Sequence, residues 1–381
     1  VTTAWYLRQA GHQVTVVDRN AGPAQEASYA NGGQISVSHA EPWANPSTPW
    51  KVLRGMVRAD APLRFRPQLD PDQWRWVLRF LRECTPGRRD HNLIRLIGLG
   101  LYSRSSLQDL RRELKLDYDQ RSQGILHFYT CESELRRAME PARIMREADE
   151  VVDIEPALKP IERNLAGGTF TPEDESGDAQ LFSERLAERA RQAGVDFRYD
   201  TEVRALEPIG RRIDGVRVLE RGQSARWQAD RYVLCLGSDS RFLAAPLGLR
   251  LHVYPIKGYS VTVPVKDADA ALGVGLIDDE YKLVYSRLGD RIRVAGTAEL
   301  GGHDRTPDPA RCRAILRRAA AVMPDAGDWE AAEPWAGLRP STPSSLPRIG
   351  RSPLDNLYLN TGHGTLGWTL ACGSARALAD I

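Results

Sequence analysis

The sequence predicts an α/β fold, with a parallel sheet carrying helices and a second, antiparallel unit inserted into it. Three observations carry this. Residues 1–18 read as a helix, a glycine stop and a β-branched strand closing on an acid. Two further strand-like runs, YVLCLG (232–237) and LYLNTG (357–362), end in glycine, and the second leads into a helix. Residues 250–300 change character, to strands joined by short turns such as Leu288-Gly289-Asp290-Arg291.

Taken in order, Val1, Ala4, Leu7 and Ala10 recur at helical spacing and Gly11 ends the helix. Val14, Val16 and Val17 form the strand, and Asp18 closes it. In a dinucleotide-binding βαβ unit a glycine-rich turn opens the helix, and an acid about 20 residues on binds a ribose. Counting back from Asp18 places that turn and its strand upstream of residue 1, roughly 10–15 residues away. The same residues also fit a helix–strand pair in any α/β domain.

Residues 21–50 read as a long loop rich in Gly, Ser, Asn and Pro, with Trp43 and Trp50 embedded, and long loops are often functional. Residues 51–120 read as helical, notably 74–84 and 93–114. Arg54, Arg58, Arg64, Arg66, Arg75, Arg79, Arg82, Arg88 and Arg89 crowd this region. They read as solvated helix faces, or alternatively as a surface for a partner or for anionic lipid. Strands are expected at 124–130, 195–203 and 212–218, and helices at 182–194 and 309–324.

The 381 residues allow two domains or one large one. With 52 basic and 50 acidic residues, no whole-chain charge argues for nucleic acid. No run of 18 apolar residues occurs, so no transmembrane helix is expected. Five scattered cysteines without a C-x-x-C suggest neither a disulfide framework nor a zinc site, and with the histidines dispersed no metal is expected.

Two local features carry chemistry. In Thr361-Gly362-His363-Gly364-Thr365-Leu366-Gly367-Trp368-Thr369, glycines allow close backbone approach to a ligand, and the turn feeds a helix N-terminus. A phosphate suits such a site, as does a flavin ring that gathers negative charge on reduction; a plain tight turn fits equally. Arg339, in Gly-Leu-Arg-Pro, precedes a proline and is held in extended backbone. Its fork suits a substrate carboxylate, or it is a surface arginine. Tyr254, Tyr259, Tyr281 and Tyr285 cluster in the antiparallel region, as pocket lining or as packing.

Several long stretches together resemble the FAD-dependent D-amino acid dehydrogenases, a branch of the D-amino acid oxidase and glycine oxidase superfamily. They are GHQVTVVDRNAGPAQEASYANGGQIS, PEDESGDAQLF, VYPIKGYSVTVP, DDEYKL, RIRVAGTAE, WAGLRPSTP and LNTGHGTLGWTLACGSARALAD. The resemblance implies a Rossmann-like FAD-binding domain, here without its N-terminal strand and glycine turn. That domain would comprise residues 1–50, 151–245 and 331–381. An inserted α+β substrate domain, built on an antiparallel sheet, would comprise 51–150 and 246–330.

The resemblance also implies site roles. Asp18 is matched to the acid on the adenosine ribose. Arg19, Ser28, Asn31, Gly32, Gly33 and Gln34 are matched to the wrap around pyrophosphate and flavin. Val203 is matched to the strand position at the adenine, and Gly237 to a strand-end glycine beside the cofactor. Gly362, His363, Gly364, Thr365, Leu366, Gly367 and Thr369 are matched to the turn under the flavin ring. Arg339 and Tyr281 are matched to the residues that hold the substrate carboxylate.

The implied reaction is oxidative deamination of a D-amino acid, with D-alanine the expected substrate, to a 2-oxo acid and ammonia. D-hydroxyproline, glycine or sarcosine are the alternative substrates, an O₂-using oxidase the alternative chemistry, and a non-catalytic fragment or partner subunit the alternative outside catalysis. Electrons would pass to quinone or another respiratory acceptor. The enzyme would lie peripherally on the cytoplasmic side of the bacterial inner membrane, or in the cytoplasm, with the 54–89 region as a candidate contact.

Overall fold

The computed structural model describes residues 1–50, 62–137 and 144–381. Helix Thr2–Gln9 leads through Gly11, at φ 91°, into strand Thr15–Val17. That strand pairs in parallel with Asp196–Arg198, and Tyr232–Leu234 pairs in parallel with Leu357–Thr361. Trp5, Leu107, Leu110, Phe182, Leu186 and Cys372 form the core that joins helix Thr2–Gln9 to helices Pro86–Leu114, Ala179–Gln192 and Gly367–Ala379.

A nine-stranded sheet dominates the rest. Its order is Glu333–Ser341, Tyr254–Pro264, Arg291–Leu300, Leu283–Leu288, Gly275–Asp278, Ile125–Tyr129, Gly167–Thr171 and Ile144–Arg146, with Leu63–Phe65 added beside Arg291–Leu300. Side chains alternate between its faces. Leu126, Phe128, Tyr259, Val261, Leu276, Leu283, Tyr285 and Val294 face one way, into a core closed by Cys312, Ile315 and Ala319 of helix Pro309–Val322. The intervening residues face the 28–40 segment: the Ser260 hydroxyl donates to the Ala30 carbonyl, and that of Ser286 to the Gly32 carbonyl.

The expected strand at 195–203 is two strands. Asp200 turns the chain at φ 51°, so Asp196–Arg198 joins the parallel pair. Thr201–Ile209 instead opens an antiparallel three-stranded sheet with Arg212–Glu220 and Gln223–Trp227. Gly167–Thr171 and Glu333–Ser341, drawn from stretches that sequence grouped with the cofactor-binding part, pair into the large sheet.

Of the clustered arginines, Arg54 and Arg58 lie outside the described residues. Arg75 pairs with Asp72, and Arg88 with Glu83. The two helices there leave Leu78, Leu81, Ile94 and Leu101 exposed.

Candidate functional site

Arg339 occupies the edge strand Glu333–Ser341, opposite Ile256. Its guanidinium lies across Gly258 of the neighbouring strand, where a Cβ would stand 2.3 Å from Cζ. Gly258 is therefore the cradle that lets the side chain cross the sheet. One nitrogen donates to the Thr297 carbonyl at 2.9 Å. No carboxylate pairs with Arg339 among the described residues, and burial alone pushes its pKa down to about 10. An arginine desolvated without a counter-charge calls for an anion.

The same strand leads to the glycine turn. Ser341 bridges to His363, and Gly362 takes φ 82° and Gly364 φ 57°. A Cβ on Gly362 would meet Thr342 Cγ2 at 2.7 Å. Helix Gly367–Ala379 starts here without a side-chain cap, and Thr365 is exposed beside it. Its first N–H groups and the positive dipole end thus favour an acceptor of partial negative charge. Leu366 is the N-cap residue of that helix and packs toward Leu370, while Thr369 is buried. The His363 ring contacts Ser374 Oγ at 3.1 Å, and burial pushes its pKa down to about 4, so it is neutral at pH 7.

Asp18 follows the first strand. One carboxylate oxygen accepts from the Asn20 backbone N–H at 2.9 Å and from Asn20 Nδ2 at 3.1 Å. The other accepts no hydrogen bond among the described residues, and burial raises the group's pKa. A ribose hydroxyl is the donor such an oxygen lacks. Gly237, at φ 52°, receives the Thr361 hydroxyl on its carbonyl at 3.0 Å and so ties together the ends of both parallel strands. These features fit a flavin dinucleotide: an unfilled acid for the ribose, and a glycine turn with an open helix end for the ring.

Other expected residues have different occupations. Arg19 is paired with Glu26 at 2.7 Å and with Asp239 at 2.7 Å, and both acids also meet Arg305. Ser28 lies in the turn that leads to Ala30. The Asn31 side chain accepts the Gly33 N–H at 2.9 Å, and Gln34 Nε2 donates to the Leu276 carbonyl at 2.9 Å. Asn31 thus stiffens the loop itself, and Gln34 holds the loop to the sheet. Gly32 lets the loop touch Val284, which a Cβ would approach to 2.5 Å, and Gly33 sits at φ 71°. Val203 pairs with Val218 in the three-stranded sheet.

Tyr281 is not brought to Arg339. It is 44% exposed, in the turn before strand Leu283–Leu288, and Arg318 lies 4.1 Å from its ring centroid. Arg318 is in turn bonded to Asp278, on the face that carries helix Pro309–Val322. Tyr281 thus stands over Arg318 on the face that carries that helix, whereas Arg339 is on the other face. Sequence reading missed Gly258, although a glycine inside a strand run is a signal of close approach. It also missed the buried His127–Asp279 pair, whose members are 152 residues apart in the chain.

These features define a flavin-dependent oxidoreductase, and comparison with known proteins places the chain within that class. It belongs to the DAO family of FAD-dependent oxidoreductases, which it matches over residues 1–381. It is 51% identical to the D-amino acid dehydrogenase of Paramagnetospirillum magneticum, covering 100% of this chain and 91% of that protein. It is 50% identical to the D-amino acid dehydrogenase of Dechloromonas aromatica, covering 100% and 93%. Its fold is similar to that of glycine oxidase from Bacillus cereus, with a TM-score of 0.73 at 22% identity, over 100% of this chain and 90% of the other.

Proposed function

We propose that this enzyme oxidises D-amino acids to 2-oxo acids and ammonia. The observation that carries the reading is Arg339, a desolvated guanidinium without a carboxylate partner, on the sheet face that the 28–40 segment covers. The relatives named D-amino acid dehydrogenase support the same reading.

Bound FAD supplies a two-electron acceptor for the hydride of the substrate α-carbon. Asp18, Gly237 and the Gly362–Thr369 turn would hold it. Arg339 binds the substrate carboxylate through two parallel N–H donors and so fixes the α-carbon. His363, neutral at pH 7, adds no positive charge beside the turn. The uncapped start of helix Gly367–Ala379 favours negative charge that accumulates there during the reaction. Loss of the hydride from the α-carbon and of a proton from the amine leaves the imino acid, which water hydrolyses to the 2-oxo acid and ammonia.

Electrons then pass to a respiratory acceptor such as a quinone, with the enzyme applied peripherally to the membrane surface. Exposed Leu78, Leu81, Ile94 and Leu101, beside Arg79, Arg82 and Arg95, support such a contact. No helix among the described residues is long and apolar enough to cross a membrane. The test is anaerobic flavin absorbance of the FAD-loaded enzyme with D-alanine and with L-alanine. Bleaching by the D-isomer alone is expected; a flavin that no D-amino acid bleaches would overturn the reading. Absence of hydrogen peroxide in air would separate the dehydrogenase from an oxidase.

A further inference from the structure

The sheet face that carries Arg339 also carries an acid, at the end of an interior strand. Arg339 reaches the Thr297 carbonyl, two strands away from its own. Leu283 pairs with Gly296, and the Lys282 carbonyl packs against Gly296, the residue before Thr297. Asp278 pairs with Leu283, so Asp279 and Lys282 are the first and last residues of the turn 279–282 that joins the two strands. Asp279 is 8% exposed, and one oxygen lies 2.7 Å from His127 Nδ1 while the other receives Lys282 Nζ at 2.8 Å.

His127 is fully buried between Leu126 and Phe128, which point into the opposite core. It therefore faces the same side as Arg339, and its ring meets that of His39 at 5.2 Å between centroids. His39 precedes Ala40, which packs with Leu370 of the helix that follows the glycine turn. The acid thus shares a sheet face with the cation, in a row of strand ends that runs from Thr297 to Asp279.

We infer that this row reads the substrate's two charges: Arg339 takes the carboxylate, and Asp279, oriented by His127, takes the ammonium group. The inference rests on the proposed amino acid oxidation and adds the group that recognises the amine. The strands that carry Thr297 and lead to Asp279 are two spacings apart, roughly 10 Å between backbones.

Burial opposes ionisation of Asp279, but His127, Lys282 and His39 outweigh it and hold the carboxyl well below the usual range. Glu280, in the same turn, is engaged with Thr130, and Thr169 lies opposite His127 on the next strand. Each carboxylate oxygen retains a second lone pair. Lys282, whose side chain is 53% exposed, is a resident cation that a substrate ammonium meets as a competitor. Asp279 would be a binding residue at the reacting centre and His127 a positioning residue.

The test uses 2-aminoisobutyrate, an amino acid without the α-hydrogen that oxidation removes, and isobutyrate, the same skeleton without the ammonium. Each is titrated into the FAD-loaded enzyme and read as a shift of the flavin spectrum at equilibrium. Asp279→Asn is expected to weaken 2-aminoisobutyrate about tenfold or more and to leave isobutyrate nearly unchanged. Lys282→Gln is expected to tighten 2-aminoisobutyrate and to leave isobutyrate unchanged, a gain that damage to the fold does not produce. Equal weakening of both ligands by Asp279→Asn, or weaker amino acid binding in Lys282→Gln, would overturn the assignment. Neither ligand is oxidised, so this outcome is independent of whether D-alanine bleaches the flavin.

Discussion

Gly258→Ala is a one-carbon change outside every hydrogen bond of the substrate site, and it is expected to disable the enzyme. The added Cβ would stand 2.3 Å from Arg339 Cζ and 2.5 and 2.6 Å from its two terminal nitrogens. Ordinary carbon contacts begin near 3.5 Å, so the guanidinium must retreat by about 1 Å or more. It then leaves the Thr297 carbonyl, now 2.9 Å away. A misplacement of about 1 Å in a substrate clamp costs on the order of 100-fold in rate, which is about 2.7 kcal/mol of transition-state binding. Stability changes little, because a lost hydrogen bond of about 1 kcal/mol is partly offset by the stiffer unfolded chain that alanine gives. The assay pairs kcat/KM for D-alanine, from anaerobic flavin reduction, with thermal unfolding. A variant that folds normally and keeps wild-type kcat/KM would refute the view that Gly258 sets the position of Arg339.

Other outcomes follow from the same geometry. Arg339→Leu leaves a substrate carboxylate unpaired and is expected to lower kcat/KM by about 3–5 kcal/mol, read in the same flavin assay. Asp18→Ala removes the acceptor for a ribose hydroxyl and is expected to weaken FAD about tenfold, measured by recovery of flavin fluorescence on dilution. His363 is held neutral, with a folded pKa of about 4 below the ordinary imidazole value of 6.5. The unfolded chain therefore takes up more protons between those values, and stability falls as pH drops through that window. His363→Asn is expected to flatten that acid limb of the melting curve. Burial pushes the Cys372 thiol up to about 12, and the Ser133 hydroxyl lowers that of Cys131. Iodoacetamide should therefore label Cys131 first and leave Cys372 untouched until the protein unfolds.

Local signals were legible in the sequence where the physics is local. Helix Thr2–Gln9, the strand ending at Asp18 and the glycine turn at 362–367 each declare themselves within a dozen residues, through periodicity, β-branching and glycine. Arg339 was legible because its proline neighbour fixes extended backbone. What needed the structure was parity and pairing. Tyr281 lies in a turn and meets Arg318 on the opposite face of the sheet from Arg339, which only the folded hairpin reveals. Arg19 is bound to Asp239, 220 positions away, and no motif announces that its charge is already answered. The break at Asp200 depends on one left-handed residue that is not a glycine. The His127–Asp279 pair joins strands that neighbour one another only after a long excursion.

The bridge between Ser341 and His363 fastens the substrate-holding strand to the turn that would support the flavin. Arg339 is two residues from that bridge, and its strand is laced along Tyr254–Ser341 to Thr262–Glu333 into the large sheet. Clamp and turn therefore form one stiff caliper whose gap is fixed before any ligand arrives. Substrate has to thread in past flanking side chains, because no hinge lies between the two jaws. Rapid mixing with substrate should then show flavin reduction as a single exponential, without the lag that a closing step would impose.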